Sequence, residues 1–65
     1  MKTLTEALEV VGALDRGNPQ KYAAALRWGQ RWCAKHKPPV KKAGRDYRLT
    51  DSQVAAMKRE YWGML

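Results

Sequence analysis

Leu4, Ala7, Leu8, Val11 and Leu14 recur at intervals of three and four, the repeat that lays one apolar stripe along a helix. Thr3 and Glu6 stand just ahead of this stripe with the spacing of a capping box, in which each side chain satisfies an orphan N–H of the first turn. Gly17 suits the left-handed residue past a helix end, so the pattern predicts a first helix over about 4–15. Asn18-Pro19 restarts the chain, since Asn is a strong N-cap and Pro loses no needed hydrogen bond at the first helical position. A second helix is predicted from Pro19 to Lys35, with Tyr22, Ala25, Leu26, Gly29, Trp32 and Cys33 on its inward face and Trp28 packing on a neighbouring element. Gly29 in mid-helix costs about 1 kcal/mol relative to Ala and marks a kink or a close contact.

Pro38-Pro39 ends that helix, because proline cannot continue it and drives the preceding residue to extended geometry. Beyond it the pattern changes period. Val40, Tyr47 and Leu49 alternate with charged neighbours around a Gly44 tip, which predicts a two-stranded hairpin at about 39–49. Such a hairpin is marginal alone and must lie against the helices. Thr50 and Gln53 repeat the capping-box spacing, Asp51 favours the positive helix start, and Val54, Met57, Tyr61 and Met64 form the inward stripe of a third helix over about 51–61. Leu8, Val11, Leu26, Tyr47, Val54 and Met57 are the expected core. The fold class is a small, mainly α winged helix-turn-helix of about three helices with a two-stranded β-hairpin wing.

Charge changes the picture. The 65 residues carry 13 Lys plus Arg against 6 Asp plus Glu, a net +7 with His neutral. The excess is concentrated. Residues 20–50 hold Lys21, Arg27, Arg31, Lys35, Lys37, Lys41, Lys42, Arg45 and Arg48 against Asp46 alone, while the stretches before and after are close to neutral. A clustered positive field favours a polyanionic partner, most commonly nucleic acid. Arg27, Arg31 and Lys35 are four apart and stack along one outward ridge of the second helix, where like charges repel by about a few tenths of a kcal/mol per pair. Lys37, Lys41, Lys42, Arg45 and Arg48 make the hairpin strongly basic.

Other chemistry is thin. Cys33 is the single cysteine and His36 the single histidine, so no internal disulfide can form, and two ligands fall short of the four a zinc site wants. Cys33 and His36, three apart at a helix end, are read as packing and dipole-facing residues rather than an activated nucleophile. No Gly-rich phosphate loop or paired-carboxylate motif is present. No catalytic residue, metal or cofactor is expected, and a 7.4 kDa chain has little room for a deep, water-excluding pocket. No apolar run approaches the roughly 20 residues of a membrane span. Met1 to Glu6 lacks signal-peptide character, so the expected location is the cytoplasm.

At Pro38-Pro39-Val40 and Gly44-Arg45-Asp46-Tyr47-Arg48, followed by a capped helix bearing Val54, the sequence resembles the wing of the phage excisionases and of the related MerR-like DNA-binding domains. The likeness spans about residues 37–57, roughly a third of the chain, and the basic second helix agrees in position. It differs in a longer second helix and in the plain turn at Asp15–Asn18. At 65 residues the chain has room for one domain, over residues 1–65. The resemblance implies that it binds double-stranded DNA without altering it, associates with the nucleoid, and works beside a phage integrase or by self-association on DNA. It implies bending of attachment-site DNA to direct recombination, or repression of transcription. The second helix would enter the major groove, where Arg pairs with guanine edges, and the wing tip would follow the backbone or the minor groove. Arg27, Arg31, Lys35, Lys37, Lys41, Lys42, Arg45 and Arg48 are the candidate contacts. The alternative is a phage-encoded, protein-binding inhibitor of a host enzyme that uses the same basic surface; it would show a contiguous apolar patch rather than an exposed Gly44-Arg45 tip.

Overall fold

A computed structural model describes residues 1–37 and 39–63; Pro38 and Met64, named above as a helix breaker and a stripe residue, lie outside the described residues. The chain forms β1 (Lys2–Thr3), α1 (Leu4–Val11), α2 (Pro19–Lys35), β2 (Lys41–Ala43), β3 (Asp46–Leu49) and α3 (Asp51–Gly63). Three helices and a three-stranded antiparallel sheet make a small winged-helix-like fold of 30 × 26 × 18 Å.

All three helices start where local chemistry places them. The Thr3 hydroxyl accepts from the Glu6 N–H at 3.2 Å, and the Thr3 N–H donates to Glu6 Oε1 at 3.1 Å. The Thr3 backbone N–H first, and then its side chain, hold the Glu6 carboxyl below its ordinary value. Asn18 Oδ1 accepts from the Gln20 and Lys21 N–H groups at 3.1 and 3.2 Å. Thr50 and Gln53 close the reciprocal box at 3.2 and 2.9 Å.

The end of α1 differs from the expected one. The helix stops at Val11 because Gly12, at φ 83°, takes the left-handed position. There the Gly12 N–H reaches Glu9 O at 3.0 Å and the Ala13 N–H reaches Leu8 O at 3.0 Å, the paired bonds of a Schellman end. The Trp62 indole N–H donates to Val11 O at 2.8 Å, so α3 satisfies another carbonyl of this terminus. Gly17 serves instead in a turn, its N–H bonded to Asp15 Oδ1 at 3.0 Å. Leu14 therefore reaches the core from a loop.

The wing also differs, since it is not a free two-stranded ribbon. Lys2 and Thr3 pair with Leu49 and Arg48, so the strand order is β1-β3-β2. The β2–β3 register sets Lys41 opposite Arg48, Lys42 opposite Tyr47 and Ala43 opposite Asp46. Gly44 at φ 64° is the sole positive-φ residue of the two-residue tip, as a type II′ turn requires. α3 runs two residues beyond the expected end.

The core gathers Leu4, Ala7, Leu8 and Val11 of α1, Ala25, Trp32 and Cys33 of α2, Val40 and Leu49 of the wing, and Val54 and Met57 of α3. Of the expected core, Leu8, Val11, Val54 and Met57 are buried, whereas Leu26 and Tyr47 are only partly so. Both border the gap between α2 and the wing. Leu49, fully buried, takes the central wing position. A Cβ on Gly29 would lie 2.9 Å from Leu4 Cδ1 and 3.0 Å from Leu8 Cδ1, so this glycine permits close approach of α1 and α2.

Candidate nucleic-acid interface

At 100° per residue the buried Ala25, Gly29, Trp32 and Cys33 define one side of α2. Arg27 and Arg31 then project from the opposite side, and both are exposed. Ala23, Ala34 and Gln30 share this exposed face. The small alanines allow a surface to come close to the helix while the arginines reach past them.

Leu26 and Gln30 border a groove of about 320 Å³ whose other wall is wing, with Lys42, Arg45, Asp46 and Tyr47. Lys42 Nζ stands 5.1 Å from the centre of the Tyr47 ring, within reach of the cation–π attraction. Arg45 sits on the exposed turn beside Gly44. This half of the site sets Lys42 and Arg45 on the groove wall, while Arg27 lies outside the lining on the exposed face of α2 beside Gln30. Gln30 belongs to it and was missed by reading the sequence for charge alone; its signal is the four-residue step from Leu26, which puts it on the ridge facing the wing.

The remaining candidates face elsewhere. Arg31 and Lys35 edge a second cleft of about 310 Å³ with Trp28, Trp32, His36 and Glu60. Here the Trp32 indole N–H donates to Glu60 Oε2 at 2.6 Å, and the His36 ring stacks on Trp32 with centroids 4.2 Å apart. Trp28 meets the Tyr61 edge at 5.1 Å, the packing expected of it. Lys37 is exposed just past α2. Lys41 and Arg48, as cross-strand partners, share the sheet face opposite to that of Lys42 and Tyr47, because alternate strand residues point to opposite faces. The eight candidates are therefore divided over the molecule. None of them has a carboxylate partner: among the described residues the one ion pair is Arg16 with Glu9.

Cys33 lies in the core, and burial pushes its thiol up to about 11. It is protonated at neutral pH, a poor state for a nucleophile or a metal ligand. No group of three or more potential metal ligands exists among the described residues, and no helix there is long and apolar enough to cross a membrane. Comparison of the chain with protein families, with curated proteins and with solved structures finds no match.

Proposed function

We propose that this chain binds double-stranded DNA, with α2 in the major groove and the wing tip on the adjacent backbone or minor groove, in the architectural manner of an excisionase or small repressor. One observation carries the reading: Gln30 of α2 and Lys42 and Arg45 of the wing border the same groove, Arg27 and Arg31 stand on the exposed face of α2 beside Gln30, and none of these cations is ion-paired with a carboxylate among the described residues. Arginine reads guanine edges and glutamine reads adenine edges at the distances a groove-bound helix offers. The Arg45 tip suits the negative potential of a narrow minor groove. Bending, and partnership with an integrase or with further copies on the DNA, belong to the excisionase form of this proposal.

The test is an anisotropy titration of labelled duplex at two salt concentrations. Binding that weakens by about 0.9 log unit per phosphate contact per log unit of salt supports the proposal; a flat response overturns it.

A second reading has an observation of its own. Ala13, Ala24, Ala25, Trp28 and Tyr61 line a largely apolar groove of about 520 Å³ on the α3 side of α2. Trp62, half exposed, stands edge-on to Tyr61. Aromatic residues of this kind anchor protein interfaces, which favours an inhibitor of a host protein. In that case Tyr61→Ala weakens a protein complex while Arg45→Ala leaves DNA association unchanged or absent.

A further inference from the structure

The outer face of the wing root holds a second basic site, turned away from the groove that α2 and Lys42 share. Lys41 and Arg48 are direct cross-strand partners, and like charges so placed repel. Neither has a carboxylate within ion-pair distance among the described residues. Glu6 feels the Arg48 charge, but its Oε1 is occupied by the Thr3 N–H and hydroxyl. The two cations open on a cleft of about 400 Å³ whose walls also include His36, Ser52, Met1 and Pro39. This volume is at the small end of the about 300–1,000 Å³ of ligand sites.

We propose that this cleft binds a phosphate group carrying an organic substituent. Arg48 supplies a planar fork that matches two phosphate oxygens, and Lys41 adds a compact charge across the strand. His36 presents an imidazole held in place by its stack on Trp32, and Ser52 presents a hydroxyl donor. Met1 and Pro39 give the apolar wall that a sugar or other carbon skeleton needs. An anion between Lys41 and Arg48 relieves the repulsion that the bare pair carries. The chemistry is the same for a free phosphomonoester and for a phosphodiester of a nucleic-acid backbone.

The test is a ¹H–¹⁵N NMR titration of the whole chain with inorganic phosphate, deoxyadenosine 5′-monophosphate and a short DNA duplex, each against chloride at matched ionic strength. The expected result is saturable shifts centred on His36, Lys41, Arg48 and Ser52. The Lys41→Gln/Arg48→Gln double variant should weaken phosphate binding by at least about tenfold, as loss of two charge-assisted contacts requires, while Lys58→Gln, which removes one charge elsewhere, should not. Because Arg48 is partly buried, Lys41→Gln alone and Arg48→Lys are read alongside, with circular dichroism melts to confirm folding. The single variants should bind with intermediate strength.

Shifts at the wing root with the monophosphate alone identify a free phosphoester; the same shifts with duplex identify the backbone. Shifts that never saturate, or that spread evenly over all cations, overturn the proposal. The two proposals fail separately. Duplex that moves Arg27 and Arg31 while phosphate and duplex leave the wing root still overturns this site and keeps the DNA reading. Saturable monophosphate binding without duplex binding does the reverse.

Discussion

Cys33 shows how position in the fold sets the chemistry of a side chain. The same thiol on a surface would titrate near 9.0, but burial raises it to about 11. The sign follows from which state holds the proton. Above the unfolded value the unfolded chain loses the thiol proton while the folded one keeps it, so stability falls as pH rises from about 9 toward 11. Cys33→Ala should flatten that alkaline decline in a urea-melt series, at the cost of a lower plateau from the cavity it leaves. In the parent, a thiol reagent at neutral pH should react only as fast as the domain opens. A parent stability that stays level between pH 9 and 11 would contradict the burial described.

Among the elements, the contact of α1 with α2 is the most exacting, because it has no room for a single added carbon at Gly29. Alanine there gains about 1 kcal/mol of helix propensity and loses about 1–3 kcal/mol to crowding in a packed core. The atoms it meets are Leu4 and Leu8 methyl groups, both on buried side chains with little freedom to retreat. The net effect of Gly29→Ala should be a loss of up to about 2 kcal/mol, read as a lower melting temperature. A gain in melting temperature would mean that the two leucines yield readily. The wing depends on its neighbours in a similar way. β1 contributes just two residues, yet by pairing with β3 it turns a marginal hairpin into a three-stranded sheet of the minimum size for stability.

For the molecule as a whole, the division of its charge over α2 and the wing lets the DNA-binding proposal be tested as two kinds of contact. On the proposed DNA-binding reading Lys42, on the wing, contacts phosphate, and such contacts position a protein without reading sequence. Lys42→Ala should weaken cognate and non-specific duplex alike and reduce the salt slope by about 1. Arg31 stands on the exposed face of α2, and Arg31→Ala should cost about 1–3 kcal/mol on a cognate site and leave non-specific binding largely intact. Paired titrations of both variants on both duplexes check this. Equal losses for the two variants on every duplex would reduce α2 to a phosphate-binding surface.

Helix starts are legible in the residues because each rests on hydrogen bonds closed within three positions: Thr3 with Glu6, Asn18 with Gln20 and Lys21, Thr50 with Gln53. The break after α2 and the Gly44 tip are local in the same sense. The inward stripes of α1 and α3 follow from periodicity, and so do the outward arginines of α2. What depended on distant parts of the chain could not be read this way. Gly12 and Gly17 are equally good helix stops in isolation; α1 ends at the first, where Trp62, fifty positions away in sequence, covers Gly12 and bonds to Val11 O. β1 carries no apolar alternation and becomes a strand by pairing with Arg48 and Leu49. Leu26 and Tyr47 have the chemistry of core residues but face a groove, because Leu49 and Met57 fill the centre. The basic residues follow one another in sequence as a single cluster, yet they occupy separate faces. Strand alternation and the angle around α2 send neighbours in the chain to different sides of the molecule, and only the packing of wing against helix determines which of them meet.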